Sequence, residues 1–349
     1  MSQTSGHANI AVVDAPSPEA SEQQSRGRLG FALKLLVTLA LVALVVTQLE
    51  WAALADRISR MHFGWCGVAL ALAMCERFLQ AVKWRVLVAA KAAHARLPVL
   101  GVFRIQLIAN FFGSFLPSSV GVDAIRIMAV RKYAVSTIDA VASTLVDRAL
   151  IVVGQLMLGA VMTLLLSTLL PPALRWFIWA TAGGVFIVGT LLTIAPLMRR
   201  ISRWLGPIAR SSIGKKVGEL YRAVHNYHRQ PAALAKAGLL TLIAFAVRLG
   251  FAQALVWTMD VDLVFWQLAM VWPLTWLIAM VPITIGAIGL QEGAYIVLFG
   301  IFGVGPTAAV AVSLLEHLTT RLVTLPGGLA WLIQPRHGPA SATSNVGSP

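Results

Sequence analysis

The sequence predicts an all-α, polytopic membrane protein, and three observations carry that prediction. Of 349 residues, 58% are hydrophobic and only 12% charged, with a mean hydropathy of +0.78. An ordinary soluble domain is about half apolar and carries roughly a quarter charged residues. Apolar runs recur along the chain, several of them reaching the roughly 20 residues that a helix needs to cross a 30 Å hydrocarbon core. The net charge of +14 gathers between those runs, where in a membrane protein it sets orientation and attracts anionic lipid. A freely soluble enzyme and a nucleic-acid-binding module are excluded on these grounds. Cys66 and Cys75 share one apolar run and build neither a disulfide framework nor a metal cluster. No metal or other cofactor is expected.

Taken in order, residues 1–28 are polar and read as a disordered cytoplasmic tail rather than a secretory signal. Spans are expected at 29–49, 64–90, 137–167, 175–196, 234–258 and 307–333. Two further apolar segments, 97–115 and 264–281, each lead into a Pro/Gly-containing break, at 116–122 and 282–289. Proline removes a backbone donor and glycine loosens the chain, so a straight helix does not pass through either break. The pieces that follow, 124–133 and 292–303, are too short to cross a bilayer. Broken backbone survives at membrane depth only where protein or a wet cavity shelters it. Each set therefore reads as a re-entrant hairpin, 97–133 and 264–303, giving six spans plus two hairpins, with eight spans as the alternative.

Charge placement favours the first count. With both termini in the cytoplasm, Lys83, Arg85, Lys91 and Arg96, then Arg126, Arg131 and Lys132, all fall inside, as does the loop 197–236 with its nine Lys/Arg and one acid. Eight crossings would put Arg126, Arg131 and Lys132 outside, against the positive-inside rule. The 197–236 loop carries Leu220 and Tyr221 among an apolar side and reads as an interfacial segment on anionic headgroups, or as a plain topology determinant. His225 and His228 within it read as solvated histidines. Residues 334–349 read as a second disordered tail, leaving 29–333 as a single transmembrane domain.

That domain contains an internal repeat, about 29–167 and about 175–333. Residues 140–148 (AVASTLVDR) align with 309–317 (AVAVSLLEH), 169 residues further on, and the same offset carries Asp123 onto Glu292. Pro117 and Gly121 fall on Pro282 and Gly286 once four residues are inserted. Since the first hairpin enters from inside and the second from outside, the copies are expected to be inverted. Paired interrupted helices in inverted repeats point to alternating access with the site at the repeat interface.

The chemistry is expected at ionisable groups within the spans, each costing about 2.5–3.5 kcal/mol at a helix centre on insertion scales. Arg148, Arg248, Arg104 and Arg126 are candidates to receive a phosphate or carboxylate headgroup, because guanidinium binds such groups bidentately. Asp147, Glu316 and His317 would balance those cations when the site is empty or carry a coupling proton. Structural ion pairing, such as Asp147 with Arg248, is the competing reading; Glu76, Arg77 and Arg321 are assigned to structure, since long arginines reach the interface. Asp123 and Glu292 stand at the starts of the short return helices, where capping is their first role. Gly289 and Gly293 form a GxxxG that permits close packing. No nucleophile elbow, Walker loop or metalloprotease motif is present, so the chain is not expected to be an enzyme.

The set Pro117, Gly121, Asp123 and Arg126, then Ser143 with Asp147 and Arg148, and later Pro282, Gly286, Gly289, Glu292 and Gly293, resembles the lysylphosphatidylglycerol synthase transmembrane-region, or flippase-like, family. Lys83-Trp84-Arg85 fits the same pattern, and the similarity spans about residues 29–333. It implies a membrane domain that translocates aminoacylated phospholipid beside a cytoplasmic aminoacyltransferase domain. Residues 334–349 are too few to hold that second domain, so lipid aminoacylation is not expected. Gln291 stands where related sequences often carry a basic residue. The expected function is translocation of a phospholipid or lipid-linked anionic headgroup across the bacterial inner membrane, downhill, ion-coupled or with a partner. Ion-coupled transport of a small anion, and service as the membrane partner of a lipid-modifying enzyme, remain open beside it. Anionic membrane lipids are the expected partners, and nucleic acid is not.

Overall fold

The computed structural model describes residues 35–47, 49–92, 94–115, 120–165, 212–279, 284 and 287–333, with short helical pieces between 172 and 184. Among the described residues there is no strand. Helices α1 (Leu35–Thr47) and α2 (Trp51–Ser59) are bent by 80° relative to each other. They lead into α3 (Phe63–Lys91), α4 (Val99–Gly113), α5 (Val120–Val130) and α6 (Thr137–Leu165). After a gap come α7 (Ser212–His225), α8 (Pro231–Thr258), α9 (Phe265–Ala279), α10 (Leu290–Gly300) and α11 (Pro306–Leu332). The Pro117, Pro282 and Gly286 positions of the two breaks lie outside the described residues, as do both tails and nearly all of the 175–196 segment.

The expected order long, short, short, long occurs twice. Helices α3 and α8 have 29 and 28 residues, α4 and α9 have 15 each, α5 and α10 have 11 each, and α6 and α11 have 29 and 27. Four of these, α3, α6, α8 and α11, are long and apolar enough to cross a membrane, and α1 with α2 makes a fifth candidate. The 11- and 15-residue helices fall short of the roughly 20 residues that crossing requires. Proline at the first turn opens α8 and α11, where its missing amide is not needed and its fixed φ already suits a helix.

Helix α3 is the spine. Its first half packs with α8, α9, α10 and α11 in one core that includes Ala69, Ala73, Phe251, Leu255, Leu274, Phe299 and Val312. Its second half packs with α4, α5 and the start of α6 around Trp84, Val88, Val102, Ile105 and Ala140. Apolar side chains elsewhere on the long helices, such as Leu239, Leu242, Met157 and Leu164, are exposed; in a bilayer, lipid rather than water covers such a face. Two glycines allow close approaches. A side chain at Gly327 would collide with the Leu107 carbonyl of α4, and Gly289 holds φ +80° while its Cα faces the Leu41–Val42 backbone of α1. Gly293 has open space where a Cβ would go, so the GxxxG works through Gly289 alone.

Two expectations need correction. Lys83 does not belong to the segment that follows the second span: α3 continues to Lys91, and the Lys83 side chain is buried to 1% exposure. A basic residue near the end of an apolar run reads like the start of the loop beyond it. The described part of the 197–236 segment also lies against protein. Leu220, Ala223 and Val224 of α7 join Leu87, Ala142, Val146 and Tyr227 in a core with α3 and α6. Residues 197–211 lie outside the described residues.

Candidate functional site

Two ionic networks are built into the interior, one in each half. In the first, Asp147 on α6 is 4% exposed and holds two cations: Lys83 Nζ of α3 at 2.9 Å and Arg126 Nη2 of α5 at 3.3 Å. Asp123, in the first turn of α5, takes Arg148 Nε of α6 at 2.9 Å and Arg126 Nη1 at 3.4 Å. The Arg126 guanidinium also lies 4.3 Å from the Trp84 ring, and Trp84 donates its indole N–H to Thr144 Oγ1 at 3.3 Å. Such a stacked, desolvated arginine gains from the ring quadrupole as well as from its carboxylates. Arg148 alone reaches outward, with 38% of its side chain exposed.

In the second network, Glu316 on α11 accepts from Arg248 of α8 and from the Tyr295 hydroxyl of α10. Arg248 also faces Glu76 of α3 at 3.6 Å, and its guanidinium lies over the Phe251 and Trp272 rings at 4.7 and 5.7 Å. Glu76 accepts from Gln80 Nε2 at 2.8 Å, and Arg77 reaches the group through Gln80 at 3.4 Å. Glu292 divides its oxygens. One accepts the Gly289 amide at 2.7 Å, as a helix N-cap requires, and the other lies 2.9 Å from His317 Nε2.

The contacts correspond residue by residue. Asp123 with Arg148 and Glu292 with His317 are each separated by 25 residues. Asp147 with Lys83 matches Glu316 with Arg248, with the same four-residue insertion that relates Pro117 to Pro282. In both halves an acid in the first turn of a short helix meets the residue that follows the mid-span acid. That mid-span acid in turn meets a cation on the first long helix.

Most of the candidate residues thus fall into two groups. Asp147, Arg148, Arg126 and Asp123 come together in the first half; Glu316, His317, Arg248 and Glu292 in the second. Asp147 and Arg248, offered as a pair, take different partners. Arg104 stands apart on α4, donating to the Ala330 carbonyl at the end of α11. Gly121 lies within α5, two residues before Asp123. Glu292 caps its helix as expected, whereas Asp123 gives its oxygens to arginines. Lys83, Glu76 and Tyr295 were missed as members. The available signal was the face shared by Glu76, Gln80 and Lys83, at helical spacing. Among the described residues no group of three or more His, Cys, Asp or Glu could hold a metal ion.

Comparison with known families gives one match: the family described as Lysylphosphatidylglycerol synthase TM region covers residues 31–327. No curated protein and no solved structure matches the chain.

Proposed function

The chain belongs to the lysylphosphatidylglycerol synthase TM-region family, and from that membership of a multi-pass membrane family we propose that it is a translocase for a phospholipid or lipid-linked anionic headgroup. The reading places it in the bacterial inner membrane with both termini cytoplasmic, acting by alternating access between two inverted halves rather than as an enzyme. One observation supports it above the rest: a buried acid–cation pair, Asp147 with Lys83 and Glu316 with Arg248, occurs at equivalent places in both halves, each beside a more exposed contact of Asp123 or Glu292. Desolvated ion pairs are weak sources of stability, because separating the charges from water offsets most of their attraction. Their retention at two matched sites is better explained by use.

The chemistry follows from the contacts. An arriving phosphate replaces Asp123 on the outward-facing Arg148, keeping the guanidinium paired while the carboxylate is released. On the other side, three carboxylates, Glu76, Glu316 and Glu292, stand beside Arg248 and His317, and the coupling proton of the return step is assigned to that group. Exchange of partners, instead of loss of partners, keeps each step free of a bare buried charge.

The test is leaflet exchange in proteoliposomes holding the full chain and trace labelled phosphatidylglycerol. Exchange faster than in protein-free vesicles, slowed by Arg148→Gln, is expected. Absence of exchange across anionic and polyprenyl lipids, with uptake of a small water-soluble anion instead, would overturn the lipid reading.

A further inference from the structure

Four arginines and two lysines in and beside the networks divide sharply. Lys83, Arg126, Arg148 and Arg248 are each engaged by carboxylates. Arg104 meets no carboxylate among the described residues; one nitrogen caps the end of α11 at Ala330, and its buried Nε has no acceptor. Lys132, just beyond α5, likewise has no carboxylate partner among them. Its amine is held below the ordinary lysine range, first by desolvation and second by the nearby Arg104 charge. The two like charges share one neighbourhood, since Arg104 precedes Ile105 on α4 and reaches the Ala330 carbonyl beside Trp331.

That place is the end of an apolar groove of about 690 Å³. Its walls are one face of α4 (Ile105, Phe112) continued by Phe115 just past the helix end, and one face of α5 (Ile125, Met128), closed by Trp331 of α11, with Lys132 among its lining residues. From Ile105 to Phe115 the groove runs about 15 Å at the helical rise, half of the roughly 30 Å hydrocarbon core and so the depth of one leaflet. Phe115 and Met128 are 76% and 62% exposed, so the groove is open along its side.

We propose that this groove between α4, α5 and the end of α11 binds one anionic phospholipid, its phosphate held by Arg104 and Lys132 and an acyl chain laid along Phe112, Phe115 and Met128. A free anion gains nothing from the aromatic walls, and a zwitterionic lipid brings a cation to a site already holding two. The anionic lipid satisfies the orphaned Nε, relieves the repulsion between Arg104 and Lys132, and fills the groove with its chain. The site is separate from Arg148 and Arg248. Its role as the loading position for the headgroup rests on the transport reading above; binding itself does not.

Photo-crosslinking tests it on the purified full chain in detergent, using phosphatidylglycerol with a diazirine in the acyl chain and mapping the labelled peptides. Label is expected on the α4 and α5 faces and Trp331, displaced by unlabelled phosphatidylglycerol in preference to phosphatidylcholine. Arg104→Gln with Lys132→Gln should reduce that preference about tenfold, the scale of a lost charge-assisted contact. Met128→Trp, at an exposed position, should block the groove label while leaving Arg104 and Lys132 in place. Equal labelling of the lipid-facing Leu239 and Leu242 on α8, an unchanged preference in the double variant, or displacement by inorganic phosphate alone would each overturn the site. Groove labelling in a protein that fails to exchange lipid between leaflets would overturn the transport reading and leave this one standing.

Discussion

The two halves share a framework and differ in charge. Around Asp147 and Asp123 the first network places three basic side chains, Lys83, Arg126 and Arg148. Around Glu316 and Glu292 the second network places a single directly bonded arginine and a histidine, and it draws in Glu76 from α3 of the first half. Position for position, Arg148 becomes His317 and Asp147 becomes Glu316. The difference teaches that matched positions do not fix the balance of charge: the first network holds more basic groups than acids, and the second more carboxylates than arginines.

The largest expected effect compares the two mid-span acids. Asp147→Asn leaves Lys83 and Arg126 buried with only Asp123 nearby, and breaking a buried pair in this way costs about 3–5 kcal/mol. Glu316→Gln is milder, about 1–3 kcal/mol, because Arg248 still faces Glu76 at 3.6 Å and the new amide oxygen accepts from Tyr295. Unfolding of both variants in the same detergent should show the first clearly less stable than the second. Equal losses would mean that the charge imbalance is not felt and that the halves are energetically alike. Lys83→Met combined with Asp147→Leu should recover part of the loss, as a packed apolar pair often replaces a buried ionic one without harm.

Much of this framework was legible in the sequence, for a physical reason. Long apolar periodicity ended by Pro/Gly breaks gives a strong signal, so the expected 64–90, 137–167, 234–258 and 307–333 agree closely with α3, α6, α8 and α11. The short helices α5 and α10 were legible because breaks bracket them. Helix α2 was not, being nine residues with Asp56 and Arg57 at its polar end, below any span-length signal. Pairings were harder. The Asp123–Arg148 contact was hidden because sequence shows which residues repeat, not which ones meet. Lys83 was hidden by its neighbours Arg85 and Lys91, which made a buried cation look like part of a basic loop.

The next effect tests the replacement of Arg148 by His317. Arginine keeps its charge at every relevant pH, while histidine is the side chain type suited to change charge between about pH 5 and 8. If the second half handles the proton, wild-type leaflet exchange should vary across that range. His317→Arg, which makes the second pair resemble the first, should flatten the profile. Arg148→His should not introduce a matching dependence on its own, because Asp123 remains shared with Arg126 at 3.4 Å. A pH profile identical in wild type and His317→Arg would remove the proton from the second half, and with it the functional meaning of the charge difference.

The smallest effect concerns a buttress of the first network. Tyr227, between α7 and α8, donates to the Leu87 carbonyl of α3 at 2.9 Å and lies 2.7 Å from Ser143 Oγ of α6. It thereby ties the two helices that carry Lys83 and Asp147. Tyr227→Phe should cost about 1 kcal/mol, the net value of an ordinary hydrogen bond, because Ser143 still donates to the Asp139 carbonyl. Burial pushes the Tyr227 hydroxyl from 10 up to about 12, with the Asp139 and Asp147 charges adding to the rise against the Ser143 hydrogen bond. The folded state therefore favours the protonated phenol, so its contribution is full below pH 10 and is lost as pH rises through about 12. Melting curves of wild type and Tyr227→Phe in detergent should differ by a constant amount at neutral pH and converge over that alkaline window. A gap that stays constant through pH 12 would show that the phenol is not anchored between α3 and α6.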